Sequence, residues 1–213
     1  MLLREGASFQ DVNLINAQIG GYLQLNGTSL NGVFNATGAK VRGEFLLSHA
    51  DKGEVIWGEN ARLILRNTQV GAIQAALTGW PAPIDPALHT DLTGFRYERL
   101  GGYTAHTMRT MEEELAEALI EWVDKATAHG GYDPSPYIQL ASALEASGQT
   151  DKASAVLYAK HRHRDRVVPA SFWVSWLLRP AERFIIGYGV YPFRALIWFG
   201  GLVAVGIIIG FAS

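Results

Sequence analysis

Residues 16–48, NAQIGGYLQLN GTSLNGVFNAT GAKVRGEFLLS, divide into three gapless blocks of eleven. Each block runs small–x–aliphatic–x–Gly, then x–apolar–x–apolar or small. The members are Ala17, Ile19, Gly21, Leu23 and Leu25; Thr28, Leu30, Gly32, Phe34 and Ala36; and Ala39, Val41, Gly43, Phe45 and Leu47. A period of two places these residues on one face of extended chain. The segment must therefore build sheets with a single buried face. ASFQD at 7–11, ARLIL at 61–65 and TQVGA at 68–72 are weaker members of the same pattern.

Two architectures satisfy it. Asn26-Gly27 between alternating apolar residues is a hairpin signal and would set Leu23 opposite Leu30 and Ile19 opposite Phe34. Alternatively, two blocks make one coil of a β-solenoid, stacking Ile19 on Val41 and Leu23 on Phe45. The regular Gly21, Gly32 and Gly43 favour the second, because glycine weakens a strand but costs little at a bend. Every Asn lies between positions 13 and 67, and Asn, like Gly, tolerates the left-handed backbone of tight corners.

AQIGG, TSLNG and AKVRG resemble relaxed pentapeptide repeats, the A-(D/N)-L-x-x unit of right-handed quadrilateral β-helices. The motif returns as TDLTG at 90–94, after the proline-rich interruption GWPAPIDPALH at 79–89, and its apolar phase then slips at Arg96. The resemblance implies a short right-handed parallel β-solenoid over 1–102.

The pattern turns helical beyond it. Met108, Met111, Leu115, Leu119, Trp122 and Ala126 form one stripe between Thr104 and His129, with glutamates opposite. A solvated helix face explains those glutamates better than a metal site. DPSPYIQLASALEASGQTDKASAVLYAKHRHR reads as two helices turning at Gly148, the first capped by Ser135 with Pro136 behind it, the second by Thr150 or Asp151. Its spacing is similar to one tetratricopeptide hairpin, within a helical unit spanning 103–168. The neighbouring acidic helix is its expected packing partner.

Residues 195–212 carry no charge. Such a run is long enough for a bilayer's hydrocarbon core, so 191–213 is expected to be a transmembrane helix, with an interfacial segment over 169–190. The expected fold class is α+β: a solenoid, a helical hairpin region and one C-terminal transmembrane helix. Basic and acidic side chains number six and six over 1–80, four and eleven over 81–150, and eight and three over 151–194. This basic flank sets the N-terminal region in the cytoplasm of a bacterial inner membrane by the positive-inside rule. Lys160, Arg162, Arg164, Arg166, Trp173, Trp176, Arg179 and Arg183 are the candidate membrane-surface residues, and Gly206 and Gly210 the candidate helix-packing pair. The order of parts, with DLTGFRYERL and IIGYGVYPFRAL, resembles a group of bacterial membrane proteins often labelled membrane-associated oxidoreductases.

Chemistry is sparsely marked. With no cysteine, disulfides, thiolate catalysis and iron–sulfur clusters are excluded. No dinucleotide or P-loop fingerprint is present, no two histidines sit at i, i+4, and corner positions account for Ser48, His49 and Asp51. The expected cofactor is none, and neither catalytic nor metal residues are nominated. The expected partners are a lipid bilayer and a protein or a second copy of the chain, without nucleic acid. The expected function is a non-enzymatic, membrane-anchored interaction module, with the oxidoreductase of the family label and a self-assembling solenoid as alternatives.

Overall fold

The computed structural model describes residues 6–49, 53–81, 90–101, 111–127 and 132–168. In them the chain visits three parallel sheets in turn, so each pass lays a strand beside that of the previous pass. The first sheet holds β1 (Ser8–Phe9), β5 (Ser29–Leu30) and β10 (Ile56–Trp57). The second holds β2 (Val12–Asn13), β6 (Val33–Asn35), β11 (Arg62–Ile64) and β13 (Thr90–Asp91). The third holds β3 (Gln18–Ile19), β7 (Lys40–Leu46), β12 (Gln69–Gln74) and β14 (Arg96–Leu100), with β4 (Leu23–Gln24) also on β7. An antiparallel pair, β8 (Ser48–His49) and β9 (Gly53–Glu54), separates the second and third passes.

The register follows the repeat. Ile19 pairs with Val41, Val41 with Val70 and Val70 with Tyr97, while Leu23 pairs with Phe45. The Asn26-Gly27 hairpin does not form, since Ser29 pairs in parallel with Ser8. Inward residues of the second pass are sealed: Leu30, Phe34, Ala36 and Ala39 are all 0% exposed. Burying a side chain such as Phe34 contributes about 1.5–3 kcal/mol.

One turn recurs at the end of the second sheet and sets the repeat length. The N–H of Ala17 donates to the Leu14 carbonyl at 3.0 Å, Ala39 to Ala36 at 2.9 Å, Thr68 to Leu65 at 3.0 Å and Phe95 to Leu92 at 3.0 Å. The third residue of each turn is left-handed: Asn16 (φ 57°), Gly38 (φ 70°), Asn67 (φ 54°) and Gly94 (φ 66°). Each turn spans three residues between inward side chains rather than two. The phase change near Arg96 is this turn, and Arg96 takes an outward place beside Gln69. The mid-block glycines act differently from the expectation. Gly43 lies within β7, and a Cβ there would stand 2.8 Å from the Gly21 carbonyl oxygen; one on Gly32 would stand 2.2 Å from that of Gln10. Close approach of the neighbouring pass, not left-handed backbone, requires glycine there.

Three helices follow: α1 (Ala116–Thr127), α2 (Ser135–Ala146) and α3 (Thr150–Val167). The continuous stripe expected from Thr104 is broken. Met111–Glu113 is a 3₁₀ turn, and Leu115 is 66% exposed. The reason is a tether to the sheets: the Met111 N–H donates to the Ala75 carbonyl at 3.1 Å, and its sulfur accepts from Trp80 Nε1 at 3.2 Å. Trp80 in turn packs on Trp122 of α1 with ring centroids 4.8 Å apart. Ser135 opens α2 rather than capping it; Asp133 Oδ1 accepts the Ser135 N–H at 2.9 Å. Gln149 occupies the cap position of α3, with no side-chain cap bond from Thr150 or Asp151. The turn between α2 and α3 uses Gly148 at φ 80°. Tyr137, Leu140, Ala141 and Leu144 of α2 are buried, as are Ala153 and Val156 of α3. α2 packs on β14 as well as on α3.

The expected fold class is therefore corrected. A single solenoid ending in a transmembrane helix is not what the structure contains: its strands lie side by side in three parallel sheets, joined to three helices. Among the described residues no helix is long and apolar enough to cross a membrane. α1 and α2 have 12 residues each, too few for a bilayer. α3 has 18 but carries Asp151, Lys152, Lys160, Arg162, Arg164, Asp165 and Arg166. The expectation of a membrane β-helix protein in a bacterial inner membrane is corrected with it. The interfacial segment at 169–190 and the apolar run at 191–213 lie outside the described residues.

Candidate functional site

β1, β2 and β3 are the terminal strands of their sheets. Their outer edges carry backbone donors and acceptors with no neighbouring strand among the described residues. Burial falls off at the same place. Phe9, Leu14, Ala17 and Ile19 are only partly buried, whereas Val41, which pairs with Ile19, is 3% exposed. Two large apolar side chains of this pass stand out further, Ile15 at 47% and Tyr22 at 51% exposed.

Exposed sheet edges are ordinarily protected by charge or proline. This one is not. From Val12 to Ala39 the chain has no charged residue, Asp11 is the single charge between Gly6 and Ala39, and the first proline is Pro81. Asp11 is itself engaged, its Oδ1 accepting the Val33 N–H at 2.7 Å. On the far side α2 covers β14, with Gln139 Nε2 donating to the Tyr97 carbonyl at 2.5 Å, and α1 approaches β13. Among the described residues, helices lie against β13 and β14, and no strand pairs with the outer edges of β1, β2 and β3.

Elsewhere the polar groups serve the fold. Asn13, Asn35 and Asp91 hold equivalent places in the second sheet, each accepting an N–H two residues ahead: Ile15 at 3.0 Å, Thr37 at 3.0 Å and Thr93 at 2.9 Å. Burial alone would raise the Asp91 carboxyl. The Thr93 backbone and hydroxyl and the Arg66 guanidinium at 2.7 Å outweigh it and hold the group below the ordinary carboxylate value. In the helical unit the Tyr137 hydroxyl donates to Asp124, which also pairs with Arg166 at 3.2 Å. Burial pushes the Tyr137 phenol up, and Asp124 adds to it. Burial does the same to Tyr97, whose hydroxyl has no hydrogen-bond partner among the described residues.

A comparison with known proteins finds no matching family model, curated protein or solved structure.

Of the candidate basic residues, Lys160, Arg162, Arg164 and Arg166 lie on α3 and differ in their surroundings. Arg164 pairs with Asp165 at 3.1 Å and Arg166 with Asp124, while Lys160 is half-buried and Arg162 exposed. Alternate positions on a helix point in different directions, which divides the four. Trp173, Trp176, Arg179, Arg183, Gly206 and Gly210 lie outside the described residues. Among the described residues no group of three or more His, Asp or Glu side chains converges at metal-binding distance. The open edge, by contrast, had a signal in the sequence: the long charge-free run.

Proposed function

We propose that this chain is a non-enzymatic interaction module that associates with a second copy of itself through the open edge of β1, β2 and β3. The observation that carries this reading is the edge itself: half-exposed apolar side chains, ladder positions with no strand beside them among the described residues, and no charge from Gly6 to Ala39 other than Asp11. Uncharged edges offer little by which to select a different partner, since discrimination at an interface relies on charge and polar pattern. A second copy related by a two-fold axis meets the same strands running the opposite way, and antiparallel pairing satisfies the backbone groups of both.

Sedimentation over a wide concentration range tests it, in mild detergent so that the apolar run 195–212 does not drive association. The mass is expected to rise with concentration. Ile15→Arg combined with Gln10→Lys is expected to remain monomeric with an unchanged thermal midpoint, because Arg66 already occupies the place equivalent to Ile15 in a later turn. A monomer at every concentration, or a variant that associates like the parent, sinks the proposal.

A further inference from the structure

The outer face of the third sheet has a feature that edge pairing does not use. Its register sets Gln18, Lys40, Gln69 and Arg96 in one row across β3, β7, β12 and β14. All four side chains are exposed. Beside the row runs an open groove of about 640 Å³, bordered by Arg42 and Glu98, to which Gly20 and Gly71 contribute no side chain. A Cβ on Gly20 would meet nothing within 4 Å. The hollow exists because side chains are missing from an otherwise polar surface. Lys40, Arg42 and Arg96 form no ion pair among the described residues.

Neighbouring strands lie about 4.8 Å apart, so carboxamide and cation alternate at a fixed step along the row. Carboxamides both donate and accept, which matches hydroxyl groups. Unpaired guanidinium and ammonium groups match carboxylates through charge-assisted hydrogen bonds. We propose that this groove binds a linear acidic oligosaccharide, with Lys40 and Arg42 on its carboxylates and Gln18, Gln69 and Glu98 on its hydroxyls. A nucleic acid fits less well. It needs an unbroken run of cations and aromatic platforms for its bases, whereas Glu98 interrupts the cations and no aromatic residue lines the groove.

Titration calorimetry of the full chain with a defined oligogalacturonate, its neutral methyl ester and a single-stranded oligonucleotide decides the matter. The acidic oligomer is expected to bind saturably, and the ester at least about tenfold more weakly. Lys40→Ala with Arg42→Ala is expected to weaken the acidic oligomer by about tenfold or more, and Gln69→Ala by a smaller factor. All three positions are exposed, so thermal midpoints are expected to stay unchanged. Absence of saturable binding, equal affinity for the ester or the oligonucleotide, or variants that bind like the parent overturns the assignment.

Discussion

At the scale of single residues, the distance between one pass of chain and the next decides what each position tolerates. A Cβ on Gly32 would stand 2.4 Å from Asp11 Oδ1 as well as 2.2 Å from the Gln10 carbonyl oxygen, where Asp11 already holds the Val33 N–H. Gly32→Ala is expected to lower stability by about 1–3 kcal/mol in denaturant unfolding. Gly21→Ala faces open space and is expected to stay within about 0.5 kcal/mol. Equal midpoints for the two would refute the packing assigned to them. The same contrast grades the inward row. Val41→Asp buries an unpaired charge at a site 3% exposed and is expected to cost about 3–5 kcal/mol. Ile19→Asp, at the half-exposed edge, is expected to cost clearly less, and outward Lys40→Asp almost nothing. Asp91 adds a pH signature. Its folded carboxyl lies below the ordinary value of 3.8, so its contribution is complete above that value and is lost as the pH falls through the lower one. Asp91→Asn keeps the turn, as Asn35 does two strands away, and is expected to flatten the loss of stability between about pH 5 and pH 2. At this scale the sequence was informative about direction: alternation named Val41 and Phe45 as inward and Gln18 and Lys40 as outward. It misjudged the glycines, because a close approach between passes depends on atoms 22 positions away, as in Gly21 and Gly43, and leaves no local mark.

At the scale of elements, the helical pair and the sheet register were legible, and the first helix only in part. Periodicity reports which residues favour a shared face, and Tyr137, Leu140 and Leu144 do share one. It cannot report a tether such as the Met111 bond to Ala75, which stops a helix that the apolar spacing would have continued. The caps were misread for a related reason: which residue stands at the helix start depends on the final geometry, and Pro134 and Gln149 take those places, neither with a side-chain cap bond. Two buried tyrosines show how partnership rather than burial sets the cost of a hydroxyl. Tyr137 ties α2 to α1 through Asp124, and Thr127 Oγ1 lies 3.4 Å from its hydroxyl. Tyr137→Phe is expected to cost about 1–2 kcal/mol. Tyr97→Phe removes a buried hydroxyl that has no partner among the described residues and is expected to be neutral or stabilising. Both phenols are raised above the ordinary 10.0, so their contribution is whole below that pH and is lost above it. Loss of stability above about pH 10 is expected in the parent and to be smaller in the double Phe variant. A Tyr97→Phe variant less stable than Tyr137→Phe would reverse this assignment.

At the scale of the whole molecule, the asymmetry between the two ends of the stack is the dominant physical fact. Helices α1 and α2 lie against β13 and β14, while β1, β2 and β3 pair on their inner sides and have no strand on their outer edges among the described residues. Amide hydrogen exchange reads this difference directly, since protection follows hydrogen bonding and burial. In a dilute sample the amides of β5, β6 and β7, paired on both sides by neighbouring strands, are expected to exchange slowly. Those of β1, β2 and β3 include groups facing the open edge, and these are expected to exchange fast. Edge pairing with a second copy supplies the missing acceptors, so raising the protein concentration is expected to slow exchange over residues 8–19 while leaving 29–46 unchanged. The combined Ile15→Arg and Gln10→Lys variant is expected to show the dilute pattern at both concentrations. Protection that rises equally across all passes would indicate general stabilisation rather than pairing at this edge. Protection over residues 8–19 already complete in the dilute sample would mean that the edge is closed within one chain, and self-association would then have no strand to act on.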